Sequence, residues 1–285
     1  MRTGRRVTRS ASRKWLRGLI PADGGIDTPP PPPPCPPGWQ TGPPDFVGVG
    51  VQRSGTTRWF NLLASHPEIA RSQASKELHY FDRYHTGEFT SNDAARYHEY
   101  FPRPEGSTVG EWTPLYISAP WIPRLLACSA PDARLLVLLR DPVDRYLSGM
   151  QLNERVARRR AVPLSRFAPL EAFARGFYHA QLARLLRHFE RDQLLLLQYE
   201  RCTREPLAQL RRTFEFIGLS DTEFAPELGA HPQRSAEKSV LQAQTREDYA
   251  RAYLDDVERL IDAFPEIDVS LWPNFSHLVS GATHA

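Results

Sequence analysis

Phe46-Val47-Gly48-Val49-Gly50-Val51 is apolar or glycine throughout and runs straight into Gln52-Arg53-Ser54-Gly55-Thr56-Thr57. So short an apolar run, closed by a glycine-bearing turn, predicts a strand buried on both faces. Beyond the turn, Trp59, Leu62 and Leu63 recur at helical spacing. Strand, tight turn and helix make the layout of a phosphate-binding loop, where free backbone N–H groups and the helix dipole both favour an anion. Gly50 and Gly55 have the spacing of the nucleotide-triphosphatase pattern G-x-x-x-x-G-K-[ST], but Thr56 stands where that pattern has lysine. The nearest strong cation is Arg53, inside the loop. The loop is expected to hold phosphate, yet it is poorly built for γ-phosphoryl transfer.

The rest of the chain alternates strands and helices. Residues 134–139 form an uninterrupted apolar run, and Asp141-Pro142 supplies an N-cap and a first-turn proline for a following helix. Val109–Trp112 and Gln193–Gln198 read as further strands. Helices are expected after Asn92 as cap, over 120–128, over 170–189, over 206–217 with Gly218 closing it, and over 248–264. Residues 220–244 read as a polar loop and Trp272-Pro273-Asn274-Phe275 as a C-terminal clasp. This alternation predicts a parallel sheet covered by helices on both faces.

Gln52-Arg53-Ser54-Gly55-Thr56-Thr57 resembles the loop by which sulfotransferases cradle the 5′-phosphosulfate of 3′-phosphoadenosine 5′-phosphosulfate. Arg140 at the end of the 134–139 run, with Ser148 eight residues later, is similar to that family's 3′-phosphate element. Leu-Leu-Gln-Tyr199-Glu200 looks like its strand ending in Tyr-Glu. Lys76-Glu77-Leu78-His79-Tyr80-Phe81 and Glu111-Trp112-Thr113-Pro114-Leu115-Tyr116 look like segments of its heparan-sulfate or carbohydrate branch. The resemblance spans about residues 45–220. It implies an α/β, P-loop-like three-layer domain over 45–285, soluble and bacterial in style, using 3′-phosphoadenosine 5′-phosphosulfate without a metal.

The resemblance also implies roles. Ser54, Gly55, Thr56 and Thr57 would hold the 5′-phosphate, and Arg140 and Ser148 the 3′-phosphate, where a guanidinium gives charge-assisted, often bidentate bonds. Arg53 would stabilise the leaving phosphate by charge alone, since a guanidinium keeps its proton at neutral pH. Glu77 is the candidate general base for an acceptor hydroxyl or amine, and His79 the second candidate. A late basic loop, His231–Lys238, would contain a cofactor contact at Arg234. Trp112 departs from the branch, which has lysine there; an exposed indole would favour an uncharged sugar, an aromatic or a lipid headgroup over a highly sulfated polysaccharide. Arg155, Arg158, Arg159, Arg160 and Arg166 read as a solvated helix face, or else as a surface for an anionic acceptor. A P-loop nucleotide kinase or phosphotransferase, and a non-catalytic nucleotide-binding protein, are the competing readings.

Composition narrows the partners. A net charge of +3 suits anionic ligands without arguing for nucleic acid. Cys35, Cys128 and Cys202 have no metal-binding spacing, and their odd number is read as a reducing, cytoplasmic setting. No apolar run reaches the roughly 18 residues of a membrane span. Residues 1–44 read as a separate disordered arm: Arg2 to Arg17 is basic, Pro29–Pro34 is extended, and Trp15, Leu16, Leu19 and Ile20 could touch a membrane surface weakly. The partner expected is a small-molecule or carbohydrate acceptor.

Overall fold

The computed structural model describes residues 29–70, 76–229 and 243–277. Four parallel strands form one sheet: β1 (Phe46–Gly50), β2 (Gly110–Trp112), β3 (Arg134–Leu139) and β4 (Leu194–Gln198), in spatial order β2-β1-β3-β4. The strands carry apolar residues on both sides, so each strand needs cover above and below. Leu136, Leu138, Leu195 and Leu197 meet helix α1 (Thr56–Leu63) on one face. Leu135, Val137, Leu139, Leu194 and Leu196 meet the opposite layer, made in part by helices α3 (Ile122–Ser129) and α4 (Pro142–Arg159). Helix α2 (Ser91–His98) precedes α3 in the chain and joins the same layer through buried Tyr97. The parallel sheet with helices on both faces is the architecture that the alternating pattern implies.

The chain leaves β1 onto one face through α1 and leaves the neighbouring β3 onto the other through α4. Strand order reverses between such neighbours, and a crevice opens outside their carboxyl ends. The register brings Gly50 beside Val137, so the turn after β1 and Arg140 after β3 rise from adjacent points of one sheet edge. Asp141 fixes the start of α4: its carboxylate accepts from the N–H groups of Val143 (2.9 Å) and Asp144 (3.2 Å), a cap worth about 1 kcal/mol. The same carboxylate accepts from Asn274 N and Nδ2, and Glu200 accepts from both Asp141 N and Trp272 Nε1. The C-terminal clasp thus locks the base of the crevice, with Trp272 and Phe275 wholly buried.

Several local expectations are revised. Thr90, not Asn92, caps α2, in a reciprocal box with Asp93. The helix expected over 170–189 is two helices, α5 (Ala168–Ala174) and α6 (Tyr178–Leu185). The break falls at Gly176, where a Cβ would lie 2.6 Å from the Tyr253 ring, too close for a side chain. A short helix α7 (Tyr199–Arg204) follows β4 directly and precedes α8 (Pro206–Ile217). The last helix, α9 (Ala243–Ala263), begins before residue 248.

Of the arm over 1–44, residues 29–44 lie along the domain: Tyr100 donates to Pro30 O (2.5 Å), and Gln40 bridges Arg103 in antiparallel fashion. The basic stretch from Arg2 to Arg17 and the late-loop residue Arg234 lie outside the described residues. Among the described residues, no helix is long and apolar enough to cross a membrane.

Candidate active site

The turn after β1 places Gly55 at the N-cap of α1 with φ 88°, a left-handed conformation that suits glycine. A Cβ there would also press on the Tyr199 ring at 3.0 Å. No side chain caps α1, so its first-turn N–H groups face the turn without a side-chain partner. Ser54 is wholly buried, and its Oγ has no hydrogen-bond partner. A buried orphan hydroxyl beside an uncapped helix start is the donor set that a phosphate group would satisfy.

Cations approach this start from two sides. Arg140, half-buried at the end of β3, stacks its guanidinium 4.8 Å from the Tyr199 ring centroid and donates to the carbonyl of Arg53 (3.2 Å). Tyr178 donates to the Arg140 carbonyl (2.8 Å), holding that strand end. Arg53, itself at φ 76°, donates from Nε to Ser148 Oγ (3.1 Å) on α4. Arg53, Arg140 and Ser148, 95 positions apart at the extremes, therefore meet in one place.

On the other side lies a cation that the motif reading left in the background. Lys76 Nζ sits 3.4 Å from Thr56 Oγ1 and 3.4 Å from Thr57 Oγ1, and 3.0 Å from Glu77 Oε1. Its side chain is only 15% exposed, and burial pushes its ammonium below the ordinary value against the pull of Glu77. The missing Walker lysine was the available signal: a phosphate loop without its own lysine invites a search for one elsewhere.

Glu77, His79 and Asp82 form a chain. His79 Nδ1 lies 2.8 Å from Asp82 Oδ2, and Nε2 lies 3.5 Å from Glu77 Oε2. The bonds to Asp82 and Glu77 raise His79 to about 10, so it is a cation at neutral pH rather than a free base. Burial works to raise Glu77, but the bonds from His79 and Lys76 outweigh it and hold the carboxyl below its usual value. Glu77 is thus ionised near neutrality, as a proton acceptor must be.

The segment carrying Glu77 is clamped by β2 and the residues that follow it. Trp112 N donates to Lys76 O (3.1 Å), Leu78 N to Thr113 Oγ1 (3.0 Å), and Tyr80 N to Tyr116 Oη (3.0 Å). Buried Glu111 accepts from Tyr97 Oη (2.7 Å) and from Thr113 Oγ1 (2.5 Å). Trp112 itself corrects the expectation of an exposed indole. It has no exposed surface, lies across Gly48, and donates from Nε1 to Gly50 O (3.1 Å). It packs the floor of the loop, so it carries no information about the acceptor.

Beside the turn opens a cleft of about 860 Å³ between α1 and residues 224–228, lined by Thr57, Trp59, Tyr199, Phe224 and Leu228 among others. Arg58 Nη2 bonds to Leu228 O (3.2 Å) and ties the two walls together. The basic run Arg155, Arg158, Arg159, Arg160 and Arg166 is exposed, with Arg158 paired to Glu154. Among the described residues, no cluster of three or more His, Cys, Asp or Glu could hold a metal ion.

An uncapped helix start flanked by arginines, lysine and a carboxylate, at the carboxyl edge of a parallel sheet, is an arrangement in an α/β protein that suits a phosphate group. Residues 43–255 match the family described as the sulfotransferase domain, and the chain belongs to that family. It is 32% identical over 190 residues to heparan sulfate glucosamine 3-O-sulfotransferase 3A1 of Mus musculus, covering 62% of this chain and 46% of that protein. The chain spans about half the length of the curated relatives it matches. A sulfotransferase structure from Alicyclobacillus acidocaldarius shares the fold with TM-score 0.63 at 24% identity, covering 80% of this chain and 98% of that one. Sulfotransferase STF9 from Mycobacterium avium shares it with TM-score 0.52 at 15% identity, covering 80% and 78%.

Proposed function

We propose that this chain transfers a sulfuryl group from 3′-phosphoadenosine 5′-phosphosulfate to a hydroxyl or amine of an acceptor, a carbohydrate or small metabolite. The observation that carries the reading is the meeting of two groups at one helix start. Arg140, Arg53 and Ser148 stand on one side of it, and Lys76 and Glu77 on the other. The relatives are named as 3-O-sulfotransferases of heparan sulfate glucosamine, which supports a sugar hydroxyl as the acceptor class.

When bound, the donor supplies the activated sulfuryl group. The residues of this chain bind and orient it. The α1 N–H groups, Ser54, Gly55, Thr56 and Thr57 take the 5′-phosphate, and Arg140 with Ser148 takes the 3′-phosphate, which ATP lacks. The 860 Å³ cleft has the size of a small-molecule site and accepts the nucleoside against Trp59, whose indole N–H is buried without a partner. Glu77 accepts the acceptor's proton. His79 and Asp82 orient it and keep it ionised until then. Arg53 neutralises charge on the departing phosphate, and it must exchange its bond to Ser148 to do so.

A thermal-shift titration tests the reading. A ligand that binds only the native state raises apparent stability by about 2.7 kcal/mol at a hundred times its Kd. Adenosine 3′,5′-bisphosphate should raise the melting temperature of the wild type well above the effect of ATP with Mg²⁺, and Arg140→Ala should abolish the shift. A shift with ATP and Mg²⁺ alone would replace the proposal with phosphoryl transfer.

A further inference from the structure

We propose that Lys76 is a catalytic residue that binds the sulfuryl group in transit, supplying the cation missing from position 56 of the loop and from position 112. The inference rests on the donor reading above. Three placements carry it. Lys76 Nζ lies within 3.4 Å of both threonine hydroxyls at the helix start that takes the 5′-phosphate. It lies 3.0 Å from the carboxylate that takes the acceptor's proton. A group passing between phosphate and acceptor must cross the space between those two points, and the ammonium occupies it.

The surroundings make this cation usable. Its backbone carbonyl is pinned by Trp112 N, so the side chain starts from a fixed point. With 15% exposure it is shielded from bulk water, and a charge–charge interaction is stronger there than at a surface. The cation that the carbohydrate branch carries before Thr-Pro has no counterpart at 112, because the Trp112 indole is buried under Gly48 and Gly50. Arg53 is turned toward Ser148 on α4, which leaves the acceptor side of the turn to Lys76.

The chemistry balances without a proton from lysine. The bond from the acceptor oxygen to sulfur forms as the bond from sulfur to the bridging oxygen breaks. The bridging electron pair stays on the phosphate, and the acceptor's proton passes to Glu77. In the ground state the Lys76 charge is matched by Glu77. As Glu77 is neutralised, that charge is released to the sulfuryl oxygens and the bridging oxygen. Its interaction therefore strengthens toward the transition state, which is the condition for lowering the barrier.

Calorimetric titration of the full chain with two probes tests this: 3′-phosphoadenosine 5′-phosphosulfate and adenosine 3′,5′-bisphosphate, which differ by the sulfuryl group. Lys76→Met should weaken the first by about tenfold or more, the range of a lost bond to a charged group, and the second by less than about twofold. Lys76→Arg should recover most of the difference. Glu77→Gln, which breaks the same ion pair but leaves the ammonium, should keep or improve binding of the sulfated probe. Equal weakening of both probes, no weakening of either, or matching behaviour of Lys76→Met and Glu77→Gln would overturn the assignment. Should Lys76→Met fail to fold, Lys76→Arg and Glu77→Gln decide by the same ratio. A wild type that binds neither probe would remove the donor reading itself, a distinct result.

Discussion

Replacing Glu111 by alanine tests how the segment carrying Glu77 is held. Glu111 is 1% exposed and touches no expected ligand. Its carboxylate takes the hydroxyls of Tyr97 and Thr113, and Leu78 N lies 3.5 Å from Oε2. Leu78 N keeps Thr113 Oγ1 at 3.0 Å if the carboxylate goes, so two hydroxyl donors are orphaned rather than three groups. Each buried donor left unsatisfied costs about 1–3 kcal/mol, giving roughly 2–6 kcal/mol. Relief of the carboxylate's own desolvation offsets part of this, which sets the expectation at about 2–4 kcal/mol.

Urea denaturation at neutral pH, with Glu111→Gln beside it, measures the loss; the glutamine keeps the shape and one acceptor and should lose less. Burial holds the Glu111 carboxyl above its usual value. Its contribution is therefore fully present below the unfolded value and lost as pH rises through the folded one. Wild type should gain on Glu111→Gln as pH falls from neutrality toward about 4. A loss under about 1 kcal/mol for Glu111→Ala, or a difference from the glutamine variant that shrinks on acidification, would refute the clamp.

Two further outcomes follow from single contacts. His79 should titrate near 10 by NMR, its stabilisation fully present below about 6.5 and lost as pH rises from there through about 10. Asp82→Asn, which removes the leading cause, should move the midpoint down; an unmoved midpoint would remove Asp82 from the chain. Gly48→Ala places a Cβ 2.0 Å from the Trp112 ring in a fully buried layer, so it should destabilise by about 3 kcal/mol or more in the same urea assay. A neutral result would mean that the indole can shift.

The uninterrupted apolar runs and the turn residues determined the sheet, its parallel sense and the glycine turn after β1, because strands buried on both faces and turns at glycine are written in local composition. Gly55 and the Asp141-Pro142 start of α4 were legible for the same reason. The break at Gly176 was not, since it depends on Tyr253, which comes from α9. Trp112 illustrates the limit most plainly. From the sequence its indole read as a flat face for an acceptor; only the packing across Gly48 shows it buried as floor. Lys76 is the opposite case. From the sequence it had no role beyond the segment it shares with Glu77, yet the clamp from β2 carries its ammonium to the turn, 20 positions away in sequence. Residue type and spacing fix which groups can do chemistry. Where a long flexible side chain ends is decided by the segments packed around its root, and those come from elsewhere in the chain.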